Sequence, residues 1–401
     1  MSNKHIVHVA TRLLRGGSEE NIIATCIGQV KYGHRVTLVF GRDYDADYHE
    51  ELDGQFDLEC VRSLRHPIRP IWDLRATFEM WRLFRRLRPD LVHTHQSKAG
   101  VVGRLASWLS CVPFTVHGVH IAPFLSENWA KRTVYLIAER AMARVTDAFI
   151  HVSCGMRDAY AESKIGKVEK HFVVYSGMPL DRFIDADEPT DWREFLDVPA
   201  TQPKPPVVLM LAALEGRKRH REFIREFDRL VAEIPEVRLV LAGRGEEREN
   251  IRAEILARGL EGNIKLIGFY PQPEKLVALA DVCVLTSNRE GLPRVVVQYI
   301  AGGKPVVVSH VAGIEEIVLD DVSGFVVDPE RIGDAIDAIQ LILSDDALRE
   351  KLTSGALATD VSRWDEHSLV SGTERVYEML FGNGRASLAA GRRRGLAPKI
   401  Q

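Results

Sequence analysis

Residues 5–40, HIVHVATRLLRGGSEENIIATCIGQVKYGHRVTLVF, contain the pattern that decides the fold. The stretch begins and ends with short runs rich in valine, residues 5–10 and 35–40, which are too short for helices. Between them, residues 17–32 have the apolar spacing of a helix and follow a Gly-Gly pair. A strand, a helix and a second strand in this order predict parallel strands with a helix packed on them.

The same alternation continues along the chain. In the first half the predicted strands cover residues 5–10, 35–40, 90–95, 114–119, 148–153 and 172–176, and the predicted helices include 17–32, 73–87, 98–110 and 127–144. In the second half the predicted strands cover residues 207–213, 238–243, 264–269, 282–287, 305–310 and 324–328, again with helices between them. The predicted fold class is α/β, with doubly wound parallel sheets that have helices on both faces.

A polar segment at residues 185–206 separates the two series of strands. It ends in a run with four prolines, which is typical of a linker. We therefore predict a first Rossmann-like domain over residues 1–183, a second over 184–365, a helix over 366–381 that packs back on the first, and a basic flexible tail over 382–401. Two such domains predict a ligand cleft between the carboxyl edges of their sheets.

The composition restricts the class of protein. The 401 residues are 45% hydrophobic and 27% charged, which excludes a disordered chain, a collagen and a disulfide-rich miniprotein. A net charge of −3 argues against nucleic acid as a partner, and the five scattered cysteines are typical of reduced thiols. Without a signal peptide or a spanning segment in the sequence, we expect a cytoplasmic protein.

Two glycine-containing loops are candidate phosphate sites. The P-loop sequence G-x-x-x-x-G-K-[ST] is missing, and Gly243–Arg244–Gly245 is an incomplete dinucleotide fingerprint. Gly16 and Gly17 follow the first strand and open a helix, where free N–H groups and the helix dipole favour an anion. A flexible turn with an N-cap serine is an equally good interpretation of that loop.

Acidic and histidine-rich patterns raise the question of a metal. The D-x-D sequences at Asp43, Asp45 and Asp47 lie in a polar stretch that is typical of a solvated loop. Four histidines fall at or just beyond the ends of two predicted strands: His93, His95, His117 and His120. They have no H-E-x-x-H helix beside them, so we favour a sugar or phosphate contact for one of them over a zinc site, and predict no metal.

The segment 287–298, SNREGLPRVVVQ, is the most informative about chemistry. A strand ends at its start, a tight turn contains Glu290 and Gly291, and Pro293 suits the first turn of a helix. A carboxylate and several backbone N–H groups then lie at one point, where they can bind sugar hydroxyls and a diphosphate together.

An ordered series of segments resembles the family 4 glycosyltransferases, retaining enzymes of the GT-B fold that use nucleotide sugars. The resemblance extends over residues 5–380 and rests on these stretches: TRLLRGGSEENII, GHRVTLVFG, RPDLVHTHQSKAGVVGRLAS, VHGVH, ALEGRKRH, RLVLAGRGEE, LADVCVLTSNREGLPRVVVQYIAGGKPVV and AGIEEIVLDDVSGFVVD. It implies GT-B architecture, with an acceptor-side first domain and a donor-side second domain.

The resemblance also implies roles for individual residues. Those expected to contact the donor are Gly16, Gly17, Arg217, Lys218, Glu290, Gly291, Leu292 and Gln298. His120, Lys218 and Glu290 are the expected catalytic residues, and Lys98 and His120 are expected beside the acceptor. Lys218 corresponds to the lysine that binds the donor phosphates, and Glu290 begins the family's E-x7-E element.

Three positions depart from the family pattern. Ile121 replaces the glycine after the histidine, residues 213–215 lack the usual arginine, and Gln298 replaces the second glutamate. Arg217 or Arg219 is a candidate substitute for the missing arginine. Glutamine still hydrogen-bonds a ribose but carries no charge, so we expect altered nucleotide binding.

The implied reaction transfers a sugar, with retention, from a nucleoside diphosphate sugar to an acceptor hydroxyl. UDP- or GDP-sugars are the expected donors, no metal or other cofactor is expected, and the expected acceptor is a saccharide or lipid-linked saccharide of a surface polysaccharide. A nucleotide-sugar epimerase or hydrolase of the same fold and a non-catalytic nucleotide-sugar-binding protein stay open as alternatives. An oxidoreductase is the weakest alternative, because the glycine fingerprint is incomplete.

Basic and aromatic segments also suggest contact with anionic membrane at the inner face. Residues 67–90 combine Trp72, Phe78, Trp81 and Phe84 with six arginines. Packing on the sheet is the favoured interpretation of this helix, with its arginine face able to contact headgroups. Residues 124–145 predict a core helix. The tail at 382–401 is either a disordered end, which we favour, or a membrane contact.

Overall fold

The computed structural model describes residues 3–125 and 128–383, which form two compact units. One unit comprises the described residues up to Met178 together with those from Arg363 onward, and the other comprises Pro179–Ser362. From residue 384 onward the predicted basic tail lies outside the described residues. Each unit is an α/β structure around one parallel sheet, which confirms the predicted fold class.

The strands lie close to where the sequence predicts them. Their bounds are β1 His5–Val9, β2 Arg35–Gly41, β3 Asp57–Val61, β4 Leu91–His95, β5 Phe114–Val119, β6 Ala148–His151, β7 His171–Val173, β8 Val207–Leu211, β9 Arg238–Ala242, β10 Ile264–Gly268, β11 Val282–Leu285, β12 Val306–Ser309 and β13 Gly324–Val327. The first sheet has the order β3-β2-β1-β4-β5-β6-β7, and the second has the order β10-β9-β8-β11-β12-β13.

The helices connect these strands. Their bounds are α1 Gly17–Lys31, α2 Ala46–Leu52, α3 Pro70–Leu87, α4 Ser97–Leu109, α5 Trp129–Met142, α6 Cys154–Glu162, α7 Trp192–Phe195, α8 His220–Glu233, α9 Arg248–Ala257, α10 Pro273–Leu279, α11 Arg294–Ala301, α12 Ile332–Ser344, α13 Asp346–Leu357 and α14 Glu366–Asn383. None of the described helices is both long and apolar enough to cross a bilayer.

Alternating side chains of the first sheet supply two separate cores. Val7 of β1 packs in one core with Met80 and Phe84 of α3. Its neighbour Ile6 faces the opposite side, where it shares a core with Tyr377 of α14. Helices therefore cover both faces of the sheet, and α14 packs on the first unit.

The edge strand β3 was not predicted. Its residues 57–60 are exposed or only half-buried, and Val61 is its one buried residue, so the segment DLECV lacks a continuous apolar run. Central parallel strands, in contrast, are buried on both faces and appear in the sequence as apolar runs.

The boundaries between the units differ from the predicted ones by a few residues. The first boundary falls at 178/179, because Phe183 is buried and Arg182 forms an ion pair with Glu274 in the second unit. The return falls at 362/363, because the carbonyl of Trp364 accepts a hydrogen bond from the Met178 amide at 2.9 Å. The predicted linker at 185–206 consequently lies inside the second unit.

The prediction of a core helix at 124–145 is wrong. In α5 only Glu139 is buried, whereas Trp129, Val134 and Ile137 are exposed. The helix is anchored through its polar side, since Glu139 accepts two 2.9 Å hydrogen bonds from the fully buried guanidinium of Arg104. An ion pair rather than an apolar face therefore ties α5 to α4.

Candidate active site

Three charged side chains form a compact cluster in the second unit. The Lys218 ammonium donates to Oε1 of Glu290 at 2.5 Å, and Arg217 donates to Oε2 of the same carboxylate at 2.9 Å. Arg217 also donates to Glu215 at 2.7 Å. Lys218 and Glu290 are both buried and Arg217 is half-buried, so the two cations share a carboxylate that is largely shielded from water.

The local backbone brings these residues together at the carboxyl ends of neighbouring strands. After β8 a single 3-10 turn, Gly216–Lys218, leads into α8, and after β11 the loop 286–293 leads into α11. The two connections are joined by hydrogen bonds: the Asn288 amide donates to the Arg217 carbonyl at 3.0 Å, and the Thr286 hydroxyl donates to the Lys218 carbonyl at 3.2 Å. The predicted residues Lys218 and Glu290 therefore meet although 72 positions separate them.

The charges of this cluster set the protonation states of its members. Burial raises the pKa of Glu290, but the Lys218 ammonium and the Arg217 guanidinium outweigh that effect and hold the pKa below its ordinary value. Burial and the charge on Lys218 lower the pKa of the neighbouring His220 to about 4, so this imidazole is neutral near pH 7. The cluster thus presents two cations and the carboxylate that they share, with the Glu215 carboxylate on Arg217 and a neutral imidazole beside them.

The other donor residues predicted in the second unit follow Glu290 in the sequence. Gly291 and Leu292 are buried in the loop that follows Glu290, and α11 begins at Arg294 directly after Pro293. Gln298 is half-buried on the second turn of α11. The predicted turn followed by a proline-initiated helix is confirmed.

Two glycines near the cluster permit a close backbone approach. A Cβ on Gly243 would lie 1.9 Å from the Ala212 carbonyl oxygen, and one on Gly245 would lie 2.2 Å from the Leu214 carbonyl oxygen. The G-x-G sequence therefore packs the loop after β9 against the loop after β8. This role accounts for both glycines without a dinucleotide.

In the first unit, Gly16 and Gly17 open α1 at the carboxyl edge of the sheet. Gly16 is the N-cap in an extended conformation, and no side chain caps the helix. The nearby Glu19 is buried and accepts hydrogen bonds from Ser18 at 2.6 Å and from Gln96 at 3.0 Å. The predicted loop is thus held by a carboxylate and an amide.

Sequence reasoning missed Glu19 and Gln96. Gln96 has φ +59°, a left-handed conformation that is uncommon for a residue other than glycine, and its amide oxygen accepts from the Thr11 amide at 3.0 Å. Strained backbone of this kind clusters at functional sites. No composition or spacing signal in the sequence marks Gln96, because a backbone angle is not visible there.

His120 follows β5 and contacts a line of buried histidines. Its Nε2 lies 3.0 Å from Nδ1 of His95, and Nε2 of His95 lies 2.9 Å from Nδ1 of His8. Nε2 of His8 lies 2.8 Å from Oε1 of Gln29 on α1. His93 instead contacts the Tyr377 hydroxyl at 2.7 Å. His8 and Gln29 were not predicted as partners.

His8, His93 and His95 are close enough to hold an ion, since one nitrogen from each lies within 4.8 Å of the others. Nδ1 of His8 and Nε2 of His95 already hydrogen-bond each other, so an ion bound by either of these two nitrogens would have to displace that contact. Burial is the main cause that lowers the pKa of all three rings, to about 4 for His8, which keeps them neutral. The arrangement fits a hydrogen-bonded chain at least as well as a metal site.

The acidic loop and Lys98 take structural positions. The predicted solvated loop is only partly present, because Asp45 caps α2 by accepting from the Tyr48 amide at 3.0 Å and Asp47 lies in the first turn of that helix. The Lys98 ammonium forms an ion pair with Asp73 at 2.6 Å and also donates to the Pro67 carbonyl. Lys98 therefore ties α4 to α3, and its acceptor role stays a prediction.

Family models match both units. Residues 16–177 match the glycosyl transferase 4-like domain, and residues 193–358 match glycosyl transferases group 1. The chain belongs to the family 4-type glycosyltransferases. The predicted family and the predicted transferase activity are confirmed.

Relatives of this glycosyltransferase come from several bacteria. It is 26% identical over 315 residues to the UDP-Gal:alpha-D-GlcNAc-diphosphoundecaprenol alpha-1,3-galactosyltransferase of Escherichia coli, an alignment that covers 76% of this chain and 81% of the relative. It is 26% identical over 350 residues to the alpha-D-kanosaminyltransferase of Streptomyces kanamyceticus, covering 84% and 87%.

A solved structure shows the same fold. The glycosyltransferase superposes on an Anabaena protein crystallised with UDP-glucose, with a TM-score of 0.79, 22% identity and coverage of 94% of this chain and all of the other. This likeness confirms the predicted GT-B architecture.

Proposed function

We propose that this glycosyltransferase moves a sugar from a UDP-sugar to a hydroxyl of a lipid-linked saccharide. The observation that carries the proposal is the cluster of buried Lys218 and Glu290 with half-buried Arg217 in a chain of this family. The galactosyltransferase relative is named for a UDP-sugar and a diphosphoundecaprenol acceptor, and the Anabaena structure contains UDP-glucose. Both names favour UDP over GDP in this chain.

In the proposed donor complex Lys218 and Arg217 neutralise the diphosphate. An ammonium has three donors, so its bond to Glu290 is compatible with bonds to phosphate oxygens. Charge-assisted bonds of this kind strengthen as the leaving diphosphate gains negative charge, which lowers the barrier to departure. Glu290 holds both cations in place and accepts hydrogen bonds from hydroxyls of the transferred sugar.

Gly291, Leu292 and Gln298 complete the proposed donor site. The turn at Gly291 and Leu292 offers backbone N–H groups to the diphosphate, and Gln298 hydrogen-bonds the ribose without a charge. In the first unit we assign the N–H groups at Gly16 and Gly17 to the donor and His120 to the transferred sugar. The line of contacts from His120 to Gln29 gives that ring a defined orientation.

The proposed reaction retains the anomeric configuration and needs no metal. Departure of the diphosphate gives a short-lived oxocarbenium ion, and an oxygen of the departing diphosphate accepts the proton of the acceptor hydroxyl on the same face. The anomeric C–O bond to the diphosphate breaks first, the bond to the acceptor oxygen then forms on the same face, and the nucleoside diphosphate leaves with the proton. Proton NMR of the product's anomeric coupling tests retention, and turnover in excess EDTA tests metal independence.

Donor binding is tested by thermal unfolding with UDP, GDP, ADP and dTDP. A nucleotide at a hundred times its dissociation constant stabilises the protein by about 2.7 kcal/mol, and UDP is expected to give the largest shift. Lys218→Met should lose most of the shift, whereas Lys351→Met, which removes an exposed ion pair with Asp321, should keep it. No shift with any nucleotide would contradict the proposal.

Turnover separates the proposal from its alternatives. An epimerase or hydrolase consumes UDP-sugar without an acceptor, and a non-catalytic binding protein gives a thermal shift without turnover. The proposed transferase releases UDP only when an acceptor is present.

The exposed face of α3 supports a second proposal, peripheral contact with anionic membrane. Ile71 and Leu74 are 75% and 71% exposed and Phe78 is 54% exposed, whereas the other side of the helix is buried. Exposed arginines, Arg75 and Arg82, share this face. Apolar side chains flanked by basic ones suit the boundary between headgroups and acyl chains, where a lipid-linked acceptor is presented.

A further inference from the structure

A continuous line of hydrogen bonds extends from helix α1 through the first sheet to His120. Gln29 contacts His8 at 2.8 Å, His8 contacts His95 at 2.9 Å, and His95 contacts His120 at 3.0 Å. Each contact joins ring nitrogens, or one ring nitrogen and the amide oxygen. His8 and His95, which lie between Gln29 and His120, each use both of their ring nitrogens.

Neutral histidines in such a line cannot choose their tautomers independently. A neutral imidazole has one N–H donor and one acceptor nitrogen, so each contact needs one of each. The Gln29 oxygen can only accept, which places the His8 proton on Nε2 and leaves Nδ1 as an acceptor. His95 must then donate from Nε2, and His120 must donate from its own Nε2.

The surroundings keep His8 and His95 neutral. Gln29, His8 and His95 are at most 2% exposed. Burial lowers the pKa of His8 to about 4, and burial together with His93 and His8 lowers the pKa of His95 well below its ordinary value. Protonation of either ring would also place two donors against each other.

Gly118 makes room for the line. It pairs with His95 across the sheet, and a Cβ at this position would lie 2.7 Å from Nδ1 of His95 and 3.0 Å from Nε2 of His93. A side chain on Gly118 would therefore press on the nitrogen that contacts His120. The glycine of the VHGVH sequence is explained by this packing.

We propose that Gln29, His8 and His95 are positioning residues that fix His120 as the tautomer protonated on Nε2. In a neutral His120 the nitrogen without a proton is then Nδ1. The contact of this ring with the transferred sugar rests on the proposed function, whereas the tautomer itself does not. Gln29 thus determines which nitrogen of His120 carries the proton, although three hydrogen bonds separate the two side chains.

The tautomer is measured by NMR on the full chain labelled with ¹⁵N-histidine. Long-range ¹H–¹⁵N correlations distinguish a protonated from an unprotonated ring nitrogen, and His120→Asn assigns the His120 signals. We expect a single His120 tautomer with the proton on Nε2. Glu at position 29 keeps an acceptor, so Gln29→Glu should preserve that tautomer, whereas Gln29→Leu should give a mixture of both.

A matched control uses a second histidine pair. Nδ1 of His171 lies 2.8 Å from Nε2 of His151, and Nε2 of His171 contacts the Ile165 carbonyl. His171→Gln should leave the His120 signals unchanged while it alters those of His151. Circular dichroism and the remaining histidine signals show whether each variant is folded.

Three results would overturn the proposal. They are a wild-type His120 protonated on Nδ1, a Gln29→Leu protein with unchanged His120 signals, and a purified protein with one metal ion per chain at the histidines. Because the spectra need no donor or acceptor, these results do not depend on whether the proposed transfer occurs.

Discussion

Lys218 donates a hydrogen bond to Glu290 over 2.5 Å, and both side chains are more than nine-tenths buried. Arg217 is the second cation on the same carboxylate. Glu290 is therefore the shared partner of two cations. Removal of Glu290 breaks both ion pairs, whereas removal of Lys218 breaks only one, so the two changes should lower the free energy of unfolding by different amounts.

Glu290→Leu is expected to destabilise the protein more than Lys218→Met. Loss of the carboxylate leaves the buried Lys218 charge without its partner and close to Arg217, which keeps its bond to Glu215, an effect of about 3–5 kcal/mol for a buried pair. Loss of Lys218 leaves the Arg217–Glu290 bond in place, so the cost should be smaller. Urea unfolding followed by tryptophan fluorescence measures both, and a Lys218 variant that is the less stable of the two contradicts the geometry.

Gly118→Ala is expected to lower stability by about 1–3 kcal/mol, because the added methyl group overpacks a dense site. It should also shift the NMR signals of His95 and His120. Gly262→Ala is the matched control, since nothing lies within 4 Å of a Cβ at that glycine. Equal effects of the two substitutions would mean that the space around Gly118 is not limiting.

Acid should destabilise the protein between about pH 6.5 and 4.5. Unfolded histidines take up protons below their ordinary pKa of 6.5, whereas in the folded protein the pKa of His8 is about 4. A lowered folded pKa makes unfolding more favourable as pH falls, by up to about 1.4 kcal/mol per pH unit for each such histidine. Burial lowers the pKa of several core rings in this way, among them His8, His93, His95, His117 and His151.

The slope of unfolding free energy against pH measures this effect. His8→Gln keeps a hydrogen-bonding side chain but cannot titrate. It should therefore reduce the slope by the contribution of one histidine, up to about 1.4 kcal/mol per pH unit. His367→Gln, at an exposed position of α14, should leave it unchanged. A stability that is flat from pH 6.5 to 4.5 would mean that these histidines titrate normally when folded.

Membrane contact should depend on the exposed face of α3. A variant with Ile71, Leu74 and Phe78 all changed to Ser is expected to lose most of its cosedimentation with vesicles rich in phosphatidylglycerol. Leu341→Ser, at a 51% exposed position in the second unit, is the control. Deleting residues 384–401 tests the basic tail separately. Unchanged sedimentation of the α3 variant would exclude that face as the contact.

The strands were predictable because buried parallel strands are short apolar runs. The site could be predicted only in part. Lys218 and Glu290 belong to recognisable segments. The sequence does not show that Lys218 hydrogen-bonds Glu290, or that Arg217 hydrogen-bonds the same carboxylate. Their meeting depends on neighbouring strands ending at the same edge of the sheet.

The line of hydrogen-bonded histidines could not be predicted from the sequence. His8 lies within an apolar strand and Gln29 within an ordinary helix, so neither suggests a partner 87 or 21 positions away. The contact between His93 and Tyr377 spans 284 positions. Helix α5 shows the opposite error: its apolar residues suggested burial, whereas a buried Arg104–Glu139 pair fixes the helix and leaves them exposed.

The central claim is that Lys218 promotes departure of UDP from the donor while the sugar is transferred to an acceptor hydroxyl. The most direct measurement is UDP release from a UDP-sugar, with and without polyprenyl-diphosphate-linked saccharides, for the wild type, Lys218→Met and the control Lys351→Met. We predict release that depends on the acceptor, a loss of about 100-fold or more in Lys218→Met and little change in the control. A Lys218→Met protein that releases UDP at the wild-type rate would contradict the claim.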